Sequence, residues 1–474
     1  MRILLFNPPG PEGQAYIREG RCEQRLSSFM YRMVPISLPS TAGLLRAEGH
    51  QVRILDAISR ELRDEDIAAE VQQFDPELLV MTVSTPTFDC DLEQVAKLRR
   101  YGKAFVAGIG VHVTATPGET LAQSQLDAVV RGEPEWTVAD LAAALQSGRN
   151  LDSVAGISYR RADGAIVHNE ERPFHADLDD LPPPARDLIR EEEYMLPIVD
   201  RPYTLVIPSR GCPHHCTYCT APSYYGKRLR QRTPARVVDE IEAIAKRGVV
   251  NDFTMWSDTF TLDRNYVLEL CRELQSRDLG IRWMCNSRVD SIDAEMVAAM
   301  KASGCIGISF GIESGVQTIL DNVRKGTTVA QGRTAVKMVK DAGIQSLGHF
   351  ILGLPGETPD TIRETIDYAK DIDPDWAQFY CATPLPGTAF HAQAKQAGHL
   401  AEAAPWRQFE FNTPLISTPE LSSAELNRAR VRAYFEFYAR PHVVRRVAGQ
   451  VRPKHLLGLV SQAYTFARTW VVNA

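Results

Sequence analysis

Three thiols fall within ten residues: Cys212, Cys216 and Cys219 in RGCPHHCTYC (210–219). Gly211 and Pro213 are the residues that shape and stiffen a tight loop. The CxxxCxxC spacing gathers three soft donors, and two imidazoles, His214 and His215, lie inside the same loop. A structural zinc ion takes four ligands, so these thiolates complete one only if a histidine joins them. An iron–sulfur cluster held by three cysteines instead keeps one iron open to a substrate or cofactor. Unligated thiols are the third reading.

Such a loop needs a rigid frame, and the apolar pattern around it supplies one. From residue 203 onward, six β-rich runs alternate with helical ones: YTLVIPS, DFTMWSD, IRWMCNS, CIGISFGIES, SLGHFILGLP and WAQFYCATP. One intervening helix is sharply bounded, with Thr233 as cap, Pro234 in the first turn, Val237, Val238, Ile241 and Ile244 on one face, and Gly248 as stop. Six strand–helix units predict a partial (β/α) barrel over 196–415, with its ligands at the carboxyl ends of the strands. The cysteine loop follows the first of these strands, at the mouth. Later strand ends carry Asp258, Asn286, Arg288, Glu313 and the glycines Gly353 and Gly356. For Glu313 and Arg288 the alternative is an internal ion pair bracing the barrel. Cys381 ends the last strand at the mouth; a buried thiol is its first reading and a substrate-facing hydrogen donor the alternative. Cys271, Cys285 and Cys305 read as packing residues.

Upstream, RILLFN, HQVRILDA, ELLVMTVST, AFVAGIG and DAVVRGE alternate with helical stretches. This predicts a doubly wound, flavodoxin-like parallel α/β sheet over 1–148, with ligands beyond the strand ends. A hairpin turning at Asp163–Gly164 and a Pro-rich linker, DLDDLPPPARDLI, fill 149–195. Residues 416–474 read as a basic helical C-terminal region; from 421 onward it holds nine Lys/Arg against two Glu. A basic amphipathic tail can rest on an anionic membrane surface and gather a lipid-like substrate; a helical cap with solvated arginines is the plainer alternative.

Composition bounds the rest. The 474 residues are 44% hydrophobic and 24% charged, with net charge −6, which suits a multidomain globular chain and gives no overall attraction to nucleic acid. No run approaches the roughly 18 apolar residues of a membrane span, and MRILLFNPPG is too short for a signal peptide. Nine cysteines, odd in number and mostly scattered, are no secreted disulfide framework, so a reducing cytoplasm is the expectation.

RGCPHHCTYC, with Tyr218 immediately before the third cysteine, resembles the signature of radical S-adenosylmethionine (radical SAM) enzymes, and the likeness extends over about 200–400. The resemblance implies that Cys212, Cys216 and Cys219 hold a [4Fe-4S] cluster whose open iron binds SAM. One-electron cleavage of SAM then yields an adenosyl radical that takes hydrogen from an unactivated carbon. It implies a low-potential electron donor such as flavodoxin or ferredoxin, and SAM contacts from Tyr218, Asp258, Asn286, Arg288, Glu313 and Gly353. The family's Gly-Gly-Glu turn is absent; MWSDTF stands there, with Asp258 in its place.

VAGIGVHVTATPGETL followed by DAVVRGEPE resembles the cobalamin-binding domains fused to such enzymes. On that resemblance Ser84 and Thr85 line the corrin face, Gly108, Gly110 and His112 its edge or nucleotide tail, and Gly132 and Glu133 belong to the same cofactor-binding segment. The Asp-x-His-x-x-Gly loop that supplies a lower cobalt ligand in mutases is missing, since NPPGPEGQAYIREG contains no histidine. Methylthiotransferases carry three N-terminal cysteines, whereas only Cys22 and Cys90 occur here. The resemblance therefore implies a cobalamin-dependent radical SAM enzyme acting on a small, apolar or membrane-associated molecule, with C-methylation as the expected outcome. Radical oxidation or ring closure of a tetrapyrrole-like or lipid substrate is the second reading, and a non-catalytic cobalamin or redox sensor the third.

Overall fold

The computed structural model describes residues 1–20, 22–25, 32–196, 199–401 and 404–450. The first part of the chain contributes β1 (Arg2–Asn7), an antiparallel pair β2 (Tyr16–Glu19) and β3 (Cys22–Arg25), then β4 (Gln51–Asp56), β5 (Leu78–Thr82), β6 (Phe105–Ile109), β7 (Ala128–Val130), β8 (Ile157–Arg160) and β9 (Ile166–His168). One sheet runs in the order β4-β1-β5-β6-β7-β8-β9, its first five strands parallel and the last two antiparallel. Successive residues of β1 enter opposite cores, Ile3 and Leu5 on one face and Leu4 and Phe6 on the other. Helices cover both faces, which is why these strands read as continuous apolar runs.

Two features depart from the sequence expectation. The sequence groups the hairpin around Gly164 with the linker; in the structure it extends the first sheet, with β8 paired to β7. The β2–β3 hairpin was not expected at all. Tyr16 and Ile17 are the only large apolar residues in its first strand, and charged neighbours mask the alternation.

The second sheet is built from β10 (Met195–Leu196), β11 (Arg201–Val206), β14 (Asp252–Met255), β15 (Arg282–Ser287), β16 (Cys305–Glu313), β17 (Gln345–Leu352) and β18 (Trp376–Cys381), in that order. The short pair β12 (Ser209–Arg210) and β13 (Arg230–Gln231) stands beside it. Strands β11 and β14 to β18 are all parallel and form an open half-barrel. Alternation assigns the two faces. Trp283, Cys285, Ile308, Phe310, Phe350, Leu352, Phe379 and Cys381 are buried against the surrounding helices. Their neighbours Met284, Asn286, Ser309, Leu347, His349, Ile351, Trp376, Gln378 and Tyr380 are half-buried on the inner face.

The outer edge of β18 would expose unpaired backbone groups. The helix Ser423–Tyr438 covers it: Arg430 Nε donates to Phe379 O at 2.8 Å, Tyr434 Oη accepts from Phe379 N at 3.2 Å, and Tyr438 Oη donates to Ala377 O at 2.8 Å. This part of the basic C-terminal region is thus a cap on the barrel. Residues 451–474 lie outside the described residues, so the membrane-surface expectation for them does too. Among the described residues, no helix is long and apolar enough to cross a membrane.

Candidate active site

The cysteine loop leaves β12 at Gly211, whose φ is +88°. A Cβ there would lie 2.2 Å from the Arg228 carbonyl oxygen, so the loop passes only as glycine. Its backbone is anchored at several points. Gly211 N–H donates to Asp258 Oδ2 (3.1 Å), Cys212 N–H to Gly226 O (3.1 Å) and Thr217 N–H to Val323 O (3.0 Å). Cys212 is buried, Cys216 and Cys219 are half-buried, and none forms a disulfide. His214 Nε2 and the hydroxyls of Thr217 and Thr220 are buried without a protein partner. Among the described residues, no three His, Cys, Asp or Glu side chains converge on a single ion position.

Next to the loop, β16 ends in a bulge against β17, and Glu313 adopts φ +66°. Its Oε1 accepts from Tyr218 Oη at 2.9 Å and from Lys325 Nζ at 2.6 Å. Gly311 makes the room: a Cβ there would stand 2.5 Å from Glu313 Oε1. Arg288 grips the Asp290 carboxylate with two contacts of 2.9 Å and donates to Lys325 O at 2.8 Å. Burial, then the Glu313 carboxylate, push the Tyr218 phenol well above its ordinary range, so it donates. Asn286 sits half-buried on the inner face of β15. Lys325 escaped sequence reading because a lone lysine in a loop carries no pattern.

At the strand ends of the first sheet, Ser84 Oγ bonds Thr87 Oγ1 (2.6 Å), and Thr85 N–H donates to Glu23 Oε2 (2.9 Å). His112 Nδ1 meets Thr85 Oγ1 at 3.3 Å, and its ring lies 4.4 Å from Phe88 and 4.9 Å from Trp406. Burial pushes His112 down to about 3, so the imidazole is neutral. Arg18 makes two contacts to Asp91, 2.8 and 2.7 Å, with both side chains buried. Gly110, at φ +130°, approaches Val83 so closely that a Cβ would be 2.5 Å from its carbonyl oxygen. Around Gly108 the space is filled by Leu126.

The model of the Radical SAM superfamily matches residues 206–369, and that of the B12 binding domain matches 25–142. An uncharacterized methyltransferase of Pyrococcus horikoshii is 35% identical over 94% of this chain and 94% of its own. The chain belongs to the radical SAM superfamily. The anaerobic magnesium-protoporphyrin IX monomethyl ester cyclase of Rubrivivax gelatinosus is 31% identical over 92% of this chain and 77% of its own. In fold, the chain resembles the radical S-adenosylmethionine methyltransferase TsrM from Kitasatospora setae, with TM-score 0.70 and 20% identity over 96% of this chain and 92% of that one. Membership in the superfamily, with the B12 binding domain, carries a [4Fe-4S] cluster, SAM and cobalamin as cofactors.

The residues fit these groups. Three thiols free of disulfides stand at the barrel mouth beside unpartnered buried hydroxyls. His112 Nε2 at the first sheet's strand ends, and Arg18 Nε and Gln24 Oε1 on the β2–β3 hairpin, are buried without partners, a donor–acceptor mixture that an amide-fringed corrin would satisfy.

Several expected contacts have other partners in this radical SAM protein. Glu133 accepts from Arg230 Nη1 and Nη2 at 2.9 and 2.6 Å, and Gly132 N–H donates to Thr114 Oγ1 at 3.0 Å, so this segment grips the barrel side and its own domain. Gly353 faces Leu426 of the cap helix, 2.6 Å from where a Cβ would be. Its N–H bonds Glu357, whose carboxyl burial pushes up to about 8. Cys381 is buried in the helix-side core, and burial pushes its thiol up to about 11; strand alternation turns it away from the mouth. Its neighbour Tyr380 faces inward, donates to Gln378 Oε1, and stacks near His349 with ring centroids 5.7 Å apart. The period-2 pattern in GHFIL and AQFYC was the available signal for this His349–Gln378–Tyr380 group.

Proposed function

We propose that this radical SAM protein methylates an unactivated carbon of a small molecule bound inside the half-barrel, with Cys212, Cys216 and Cys219 holding the cluster. When bound, the cluster, SAM and cobalamin supply one-electron cleavage, hydrogen abstraction and a methyl donor. The chain's part is to hold the reacting carbon between them and to exclude water. The observation that carries this reading is the inner wall: Asn286, Ser309, His349, Gln378 and Tyr380 point half-buried into the barrel whose mouth carries the cysteine loop. Tyr218, hydrogen-bonded to Glu313, ties that loop to the wall of the barrel. Ser84, Thr85 and His112 would meet cobalamin from the first sheet, with neutral His112 offering an unpartnered Nε2. A low-potential flavodoxin or ferredoxin would deliver the electron in a reducing cytoplasm. Beyond the cap helix, the basic C-terminal residues are the candidate for contact with a membrane holding an apolar substrate.

Radical oxidation or ring closure is the second reading, favoured by the 31% identity to an anaerobic cyclase. Anaerobic reconstitution with iron, sulfide and hydroxocobalamin, followed by SAM turnover, separates the two. S-adenosylhomocysteine alongside 5′-deoxyadenosine supports methyl transfer, whereas 5′-deoxyadenosine with a product lighter by hydrogens supports oxidation. Cleavage without any bound corrin would sink the methyltransferase reading.

A further inference from the structure

The two sheets meet at a buried group of four charges. Glu135, in the first turn of the helix Pro134–Ser147, accepts from Arg210 Nη1 and Nη2 at 3.1 and 2.5 Å. Glu133, just before that helix, accepts from Arg230 and lies 3.4 Å from Arg210 Nη1. All four side chains are 5% exposed or less. Arg210 immediately precedes the cysteine loop, and Arg230 is its partner across the β12–β13 pair.

Two arginines directly opposite each other on a two-residue pair repel. The pair carries this load because the first sheet supplies two carboxylates where the guanidinium groups lie. Within this group two carboxylates meet two guanidinium groups where solvent screens little, and the neighbouring buried carboxyl of Glu19 is pushed up to about 7 by burial. Tyr225 O also accepts from Arg230 Nη2, at 2.7 Å, closing the hairpin that frames the loop.

We infer that Glu133 and Glu135 of the B12 binding domain position the cluster loop and set the reduction potential of its cluster, through Arg210 and Arg230. The two domains are coupled there: carboxylates of the B12 binding domain neutralise the cation two residues from Cys212. This inference rests on the reading that the three cysteines hold a cluster.

The test is the midpoint potential of the cluster in the full-length chain, reconstituted anaerobically and followed by EPR during a mediated redox titration. Glu135→Gln removes one negative charge and leaves Arg210 uncompensated, so the potential moves positive. Arg210→Gln leaves the carboxylate uncompensated, so it moves negative. The double variant returns close to the parent value, and Arg210→Lys, which keeps the charge, stays near it. A purely structural role would shift both single variants in the same direction, and that result overturns the inference, as does an unmoved potential in both. If Glu135→Gln takes up no iron, Glu133→Gln decides, with a smaller positive shift supporting the inference and none overturning it. A parent chain that binds no iron and sulfide removes the cluster reading itself, and this inference with it.

Discussion

Lys325 Nζ lies 2.6 Å from Glu313 Oε1, and both side chains are buried at the mouth of the half-barrel. Glu313 was expected to meet SAM, with an internal ion pair as the alternative. It is engaged by Lys325 and by Tyr218, the residue that precedes the third cysteine of the loop, so one carboxylate braces the barrel wall and the cysteine loop together.

Removing one partner of such a pair leaves a buried charge. Lys325→Met is therefore expected to cost about 3–5 kcal/mol, read as a drop in the midpoint of chemical denaturation. Glu313→Gln combined with Lys325→Met should recover most of that loss, because neither charge then remains. A double variant no more stable than the single one would show that the pair is not coupled as the geometry implies.

The hairpin over the first sheet has its own pH signature. Burial pushes Glu23 up to about 7, against the hydrogen bonds from Thr85. The fold favours the neutral carboxyl, so its contribution is full below the ordinary value of 4.5 and is lost as pH rises through about 7. Glu23→Gln keeps an acceptor for Thr85 N–H and cannot ionise. Relative to it, the parent should weaken by up to about 3 kcal/mol between pH ~5 and ~8. Parallel stability curves across that range would disprove the buried neutral form.

Much of this was legible in the sequence, and the limits follow from range. The cysteine loop is local, so its spacing is a complete statement of its donors. The six barrel strands are marked by alternation and by capped helices between them. The Arg210–Glu135 contact, however, joins residues 75 apart, and nothing near either one announces the other. RGEPE resembles a cofactor segment, and no local pattern tells that its carboxylates also meet Arg210 and Arg230. Of the two readings of Cys381, the structure takes the buried thiol and not the substrate-facing one. Phe379 two residues earlier is buried in the helix-side core, and period-2 alternation carries Cys381 with it.

Gly353 tests whether a glycine beside the expected SAM site answers to the cofactor or to the fold. Its φ is +89°, and a Cβ would stand 2.6 Å from Leu426 Cδ2. Gly353→Ala is expected to cost about 2–4 kcal/mol, combining backbone strain with overpacking. Leu426→Ala should relieve the overpacking and leave the strain, so denaturation of the two singles and the double should reveal coupling of about 1 kcal/mol or more. Additive effects would remove the cap helix from the explanation.

The sharpest contrast lies between adjacent residues. Tyr380 is half-buried on the inner wall, where its hydroxyl donates to Gln378 and lies 3.3 Å from His349 Nδ1. Cys381 is buried on the other face. Tyr380→Phe keeps the ring and removes only the polar tip. If that tip orients substrate, the yield of product per SAM cleaved should fall by about tenfold or more, since small misplacements are expensive in an oriented reaction. SAM cleavage itself should change little, because the substitution leaves the cysteine loop and the Glu313–Lys325 pair intact. Cys381→Ala should do the reverse, lowering stability by about 1 kcal/mol through a small cavity while leaving the yield unchanged. Quantifying product and 5′-deoxyadenosine in the same reactions reads both variants. If Cys381→Ala uncouples the reaction as strongly as Tyr380→Phe, the inner wall assigned from strand alternation is wrong.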